Sequence, residues 1–208
     1  MKKQLVVVGC TAMFMILSGC GSGPYIGGKD YQLPQASPNG LLVMSFSYDV
    51  PGGKETYVPP VTPSIKVEPA IEEGDSFGTR YKKLGAIPNQ ILNVPWVIQD
   101  NKRVCVRVHE WQAGNYTLMP EVTMNSGSII KVSSFTPRKV TVVGGKVVYA
   151  GNFYYSGLQV SSSFLTGATL DENCRVLVHD EFSRDMALCL ERLPAVSGNE
   201  TVKDIRNP

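Results

Sequence analysis

Arg103-Val104-Cys105-Val106-Arg107-Val108-His109-Glu110 is the stretch on which the reading of the fold turns. Apolar and polar residues alternate along it with period two, and three β-branched valines share one parity, which is the pattern of a strand. Val104, Val106 and Val108 are expected to face a core, with Arg103, Cys105, Arg107 and His109 on the opposite face. The pattern repeats outward in both directions. Upstream, Leu41 to Tyr48 begins as an apolar run and ends alternating, Ile65 to Glu68 alternates, and Asn93 to Gln99 is a short apolar run around Trp96. Between the first two, Pro51, Gly52, Gly53, Pro59, Pro60 and Pro63 predict a long loop over 51–63, because proline has no ladder donor. Downstream follow Trp111 to Leu118, Ile129 to Phe135, Lys139 to Val143, Lys146 to Tyr155, Leu158 to Phe164 and Cys174 to Val178. Gly144-Gly145 reads as the turn of a hairpin joining 139–143 to 146–155. A helical stripe is formed by Phe182, Met186, Cys189, Leu190 and Leu193, ahead of Pro194. The expected fold class is all-β: a single β-sandwich of about seven to nine strands over residues 40–196, with one short C-terminal α-helix near 181–193 and a polar tail, 197–208.

The chain has 208 residues, 43% hydrophobic and 18% charged, enough for one domain with a sizeable core. Of 20 Lys and Arg against 18 Asp and Glu, the excess of two is Lys2 and Lys3, so the chain from residue 20 onward balances at 18 against 18. A neutral chain without basic runs lacks the charge that phosphate neutralisation requires, and no nucleic-acid partner is expected.

The amino end carries its own address. Lys2-Lys3, an apolar run from Leu5 to Leu17 and the small-residue exit Ser18-Gly19-Cys20 read as a secretory signal peptide over 1–19; a spanning helix needs roughly 20 apolar residues. Leu17-Ser18-Gly19-Cys20 resembles the lipobox of bacterial lipoproteins. That resemblance implies that Cys20 receives a diacylglyceryl thioether, that cleavage falls before it and that its new amine is acylated; several chains hold a membrane stably where one holds weakly. Gly21 in place of Asp implies, by the same family's sorting rule, the outer membrane as destination; the lipid-anchored domain is expected to face the periplasm. Residues 20–39, rich in Gly and Pro, are expected to form a flexible tether.

Two further segments, Trp111-Gln-Ala-Gly-Asn-Tyr-Thr-Leu118 and Phe135 through Val140-Thr-Val-Val-Gly-Gly-Lys-Val-Val-Tyr-Ala-Gly-Asn-Phe153, resemble envelope lipoproteins with a transthyretin-like or carboxypeptidase-regulatory-like sandwich. The resemblance implies a fold and brings no catalytic residues. Independently of it, Gly114 and Tyr116 read as a structural corner, with the phenol returned to a backbone group.

Cys105, Cys174 and Cys189 remain in an oxidising compartment, where a disulfide is expected before a reactive thiol. Cys174 has the core-facing parity of Val176, and Cys189 lies on the helical stripe; either they pair, closing a loop of about 15 residues worth about 3 kcal/mol and leaving Cys105 over, or they are two buried free thiols. Zinc at Cys105, His109, Cys174 and His179 is disfavoured, since strand residues four apart sit roughly 13 Å apart and residues five apart point to opposite faces. No cofactor is expected. His109-Glu110, His179-Asp180 and Ser161 to Ser163 form no recognisable relay, so no enzyme is expected and a hydrolase ranks last. Tyr149, Phe153 and Tyr155 share one parity and Tyr154 the other. Arg107, Tyr154 and Tyr155 are taken as the candidate partner surface. The resulting expectation is a non-catalytic sandwich bound to the membrane through Cys20 and serving an envelope protein partner; the alternative is a small-ligand or glycan-binding periplasmic module.

Overall fold

The computed structural model describes residues 28–50, 61–70, 74, 76, 89–124, 129–132, 134–163, 167–171 and 173–205. Cys20, the signal segment 1–19 and the loop residues 51–60 lie outside them. The described chain is all-β with a single α-helix, as read. Thirteen strands run β1 (Asn39–Asp49), β2 (Val61–Pro69), β3 (Asn89–Asn93), β4 (Val97–Gln99), β5 (Lys102–Gln112), β6 (Gly114–Met124), β7 (Ile129–Lys131), β8 (Arg138–Val142), β9 (Val147–Ser156), β10 (Val160–Ser163), β11 (Gly167–Leu170), β12 (Arg175–His179) and β13 (Thr201–Lys203). Helix α1 (Phe182–Arg192) and a 3-10 turn (Pro194–Gly198) precede β13. The count exceeds the expected one because short strands work in tandem. β12 and β13 share one edge of β9, β3 and β4 share one edge of β5, and β7 and β8 share one edge of β6.

The larger sheet runs β12-β9-β1-β5-β3, and the smaller one β2-β6-β7 with β8 on β6. β1 pairs antiparallel with β5 and parallel with β9, so the larger sheet is mixed. Strand β5 is central, and both of its faces are buried. Its odd residues Cys105 and Trp111 point between the sheets with Leu42, Met44, Phe46, Phe153, Tyr155, Leu118 and Val140. The valines Val106 and Val108 do face a core, but a second one, on the outer side of the larger sheet, shared with Leu41, Val43, Tyr149, Met186, Cys189 and Leu193. The alternation is therefore a two-core pattern, each face of the sheet closed by a different partner.

The expected disulfide fails for the same reason. Cys174 belongs to the core between the sheets and Cys189 to the core under α1, and both are free buried thiols, as is Cys105. Burial pushes the Cys105 and Cys189 thiols up to about 12; such thiols pack as small apolar groups.

Four other expectations are revised. Gly144-Gly145 does not close a hairpin, because β8 pairs with β6 in the smaller sheet while β9 lies in the larger. The turn arches from one sheet to the other, with Gly145 at φ 67° and its N–H donating to the Asn39 carbonyl at 2.8 Å. Strand β2 begins inside the stretch read as a loop. Its Pro63 is tolerated because β2 pairs with β6 alone among the described strands, so the missing donor faces outward. The segment taken as tether is docked from Tyr31, which packs on the outer core: Leu33 is buried there, and its carbonyl accepts from Asn199 Nδ2 at 3.0 Å. The polar tail likewise folds back, with β13 parallel to β9 and Asp204 Oδ2 accepting the Thr141 N–H at 3.1 Å.

A bulge rearranges the aromatic parity of β9. Between Val43/Tyr149 and Ser45/Asn152 the register gains a residue, and Gly151 sits at φ 103°. Tyr149 therefore faces the outer core while Phe153 and Tyr155 face the inner one. The turn Asp100-Asn101, with φ 52° and 59°, joins β4 to β5 in the geometry of a two-residue primed hairpin. The Tyr116 corner forms as read, its hydroxyl donating to the Gln112 carbonyl at 2.6 Å, although Gly114 is extended at φ 159°.

A Cβ at Gly145 would fall on the Gln35 carbonyl, and the φ there is already in the left-handed region. Gly145→Ala is expected to cost about 2 kcal/mol or more, read by urea denaturation, and to expose the amides of residues 33–37 to hydrogen exchange.

Candidate functional site

The outer face of the larger sheet carries the richest polar chemistry, and it begins with one carboxylate. Asp185 lies in the first turn of α1, on the stripe that Phe182 and Cys189 also occupy, and is completely buried. A charge there must be paired and hydrogen-bonded. The Ser45 hydroxyl and the Tyr149 hydroxyl, the latter at 2.6 Å, both donate to Asp185 Oδ2. Arg184 donates to Oδ1 through Nε at 2.9 Å and Nη2 at 2.7 Å. The chain continues across the sheet: Asn152 Nδ2 donates to Ser45 Oγ, and Ser47 Oγ donates to Asn152 Oδ1, each at 2.7 Å. Burial, together with the Asp185 carboxylate, pushes the Tyr149 phenol far above its ordinary range. Ser45, Ser47 and Asn152 are themselves fully buried, so the network joins α1 to β1 and β9 and meets no solvent along the sheet. Sequence reading passed over Asp185; the signal was an acid inside an apolar helical stripe.

Beside the network runs a shallow groove of about 280 Å³ lined by Asp180, Glu181, Phe182, Ser183, Arg184 and Lys203. Its charges are matched internally. Lys203 Nζ lies 3.1 Å from Asp180 Oδ2 and 4.4 Å from the Phe182 ring centroid, and Arg184 is held by Asp185 and Glu181. The groove is the seam where β13 meets the helix.

The three residues taken as a partner surface separate. Tyr155 is completely buried, and its hydroxyl donates to the Ser64 carbonyl at 2.6 Å, tying the two sheets together. Arg107 points between the sheets, its guanidinium 4.9 Å over the Phe46 ring. Both are corrected: odd parity on β5 and the β9 bulge turn them inward. Tyr154 alone is on the outer face. It stacks on His179 with ring centroids 5.4 Å apart, carries Lys102 Nζ 4.6 Å above its ring and donates its hydroxyl to Asp49. Next to it in register is Leu177, 49% exposed on β12. Sequence reading missed Leu177, although its parity, opposite to Val176 and Val178, marks an apolar side chain that points outward.

No protein-family model, curated protein or solved structure matches the chain. Among the described residues no helix is long and apolar enough to cross a membrane, and no group of three metal ligands is assembled.

Asp185→Ala is expected to cost about 3–5 kcal/mol, since it strands Arg184 and two hydroxyls, whereas Tyr149→Phe is expected to cost about 1 kcal/mol; chemical denaturation monitored by circular dichroism checks both. His109 generates a pH prediction. Burial and then the Arg107 guanidinium hold its pKa at about 4, below the ordinary 6.5. As pH falls through that window the unfolded chain takes the proton first, so stability present above pH 6.5 is lost toward pH 4, by about 3 kcal/mol. Denaturation midpoints across that range are expected to fall in the wild type and to flatten in His109→Gln.

Proposed function

We propose that the chain is a lipid-anchored envelope protein, held at the outer membrane through Cys20, whose non-catalytic sandwich docks an envelope protein along β12. The observation that carries the docking is the exposed Leu177 at the centre of β12, which pairs with β9 alone among the described strands. An edge strand with a free row of N–H and C=O groups accepts an added strand by main-chain hydrogen bonding, and the flanking side chains supply selectivity. Here those side chains are Leu177 and the Tyr154–His179 stack, an apolar and aromatic surface with a polar rim from Lys102 and Asp49. The anchoring rests on the Leu17 to Cys20 motif.

The test has two arms. Metabolic labelling with radioactive palmitate is expected to mark the wild type and not Cys20→Ala, which should also leave the outer-membrane fraction. A photo-crosslinking residue at position 177 is expected to give one discrete adduct in intact cells. The same probe at Ile129, 52% exposed on the other sheet, should give none. Equal labelling at both positions, or none at 177, overturns the docking reading.

A further inference from the structure

The inner face of β5 carries a row of nitrogen groups that the protein leaves unmatched. Arg107 Nε, His109 Nδ1 and Trp111 Nε1 are buried and have no hydrogen-bond partner among the described residues. They stand at i, i+2 and i+4 of one strand, so all three point to the same side, between the sheets. An unmade hydrogen bond at a buried donor costs about 1–3 kcal/mol, and a native chain seldom leaves three in a row without use.

The charge is unmatched too. Among the described residues no carboxylate forms an ion pair with Arg107; its guanidinium rests on the Phe46 ring and approaches the Cys105 thiol, which is protonated at neutral pH. The neighbouring register positions on β3 are amides, Gln90 opposite His109 and Asn93 opposite Arg107. This margin of the inner face is therefore polar and cationic. The half built on β1 and β9 is lined by Leu42, Met44, Phe46, Ala150 and Phe153. The smaller sheet makes its close backbone approaches there, β8 to β1 and β9, and β2 to β1.

We propose that Arg107 and His109, two residues apart on the inner face of β5, form a binding site for a small oxyanion ligand, a carboxylate or a phosphate, held between the sheets at the β3–β5 margin. Each group suits the task. A guanidinium presents parallel N–H donors that match an oxyanion in pairs, and its stacking on Phe46 fixes the plane of the fork. A buried, neutral imidazole that carries its proton on Nδ1 adds one donor without a second charge to neutralise. The site lies on the face of the sheet opposite to Leu177 and Tyr154, so it stands or falls separately from the docking surface.

The two histidines of the chain make an internal comparison, because His179 is on the outer face. The full chain in detergent micelles, isotope-labelled at histidine and arginine, would be titrated with inorganic phosphate and, separately, with succinate. The expected result is a saturable movement of the His109 resonances with at least one probe, a rise in the His109 titration midpoint when that probe is bound, and no response at His179. Arg107→Gln is expected to weaken the half-saturation about tenfold or more. Response to phosphate alone assigns the site to phosphoryl ligands, and response to succinate alone to carboxylates. A His109 signal that neither probe moves saturably overturns the site, as does an undiminished response in folded Arg107→Gln. Should that variant not fold, the Arg107 Nε–H of the unaltered chain decides: movement with the same half-saturation as His109 supports a shared ligand, and a fixed signal refutes it.

Discussion

A single buried carboxylate sets the terms for the outer half of this protein. Asp185 is tolerable inside α1 only because Arg184, Tyr149 and Ser45 supply four donors to its two oxygens. Those donors come from the helix, from β9 and from β1, so the helix can satisfy its acid in one seating. Apolar contacts from Met186, Cys189 and Leu193 provide attraction without direction, and the carboxylate supplies the direction. Asn152 and Ser47 extend the same constraint along the sheet. The register of β1 against β9, including the extra residue at Gly151, is what brings Ser45 and Asn152 into line.

The larger sheet is consequently a wall between two cores. Its central strands β1, β5 and β9 send alternate residues into a sandwich interior and into a helix-covered exterior. This explains why residues 41–48 of β1 are buried throughout. It also explains why thiols on opposite sides stay reduced neighbours of apolar side chains. The distance that matters for Cys174 and Cys189 is not the short stretch of sequence between them but the thickness of a sheet.

Strand and helix identities were legible from local pattern. The alternation in β5, the stripe of α1 and the punctuation by Gly and Pro all report on neighbours within a few residues. Pairing was less legible, because Gly144-Gly145 has the same chemistry whether it closes a hairpin or arches between sheets. Facing was lost wherever the period broke: one extra residue at Gly151 moved Phe153 and Tyr155 to the face opposite Tyr149. Of the surface residues read from parity, Tyr154 lay outward because it follows the bulge by an odd step. Arg107 was misassigned because a polar residue on a strand was taken to seek water, when its strand has no solvent face. Asp185 was visible as an acid in an apolar stripe, but its partners sit 36 and 140 residues away, on strands that only the tertiary fold brings together.

The parallel pairing of β1 with β9 has a mechanical meaning. The N-terminal segment enters the sheet through β1, which lies between antiparallel β5 and parallel β9 over most of its 11 residues. Tension arriving from the N-terminal side therefore pulls along β1 and loads its ladder bonds together in shear, instead of peeling them open one at a time. The Leu33 carbonyl, clipped by Asn199, takes that tension first. A domain pulled by its first strand in this way resists extraction from that end.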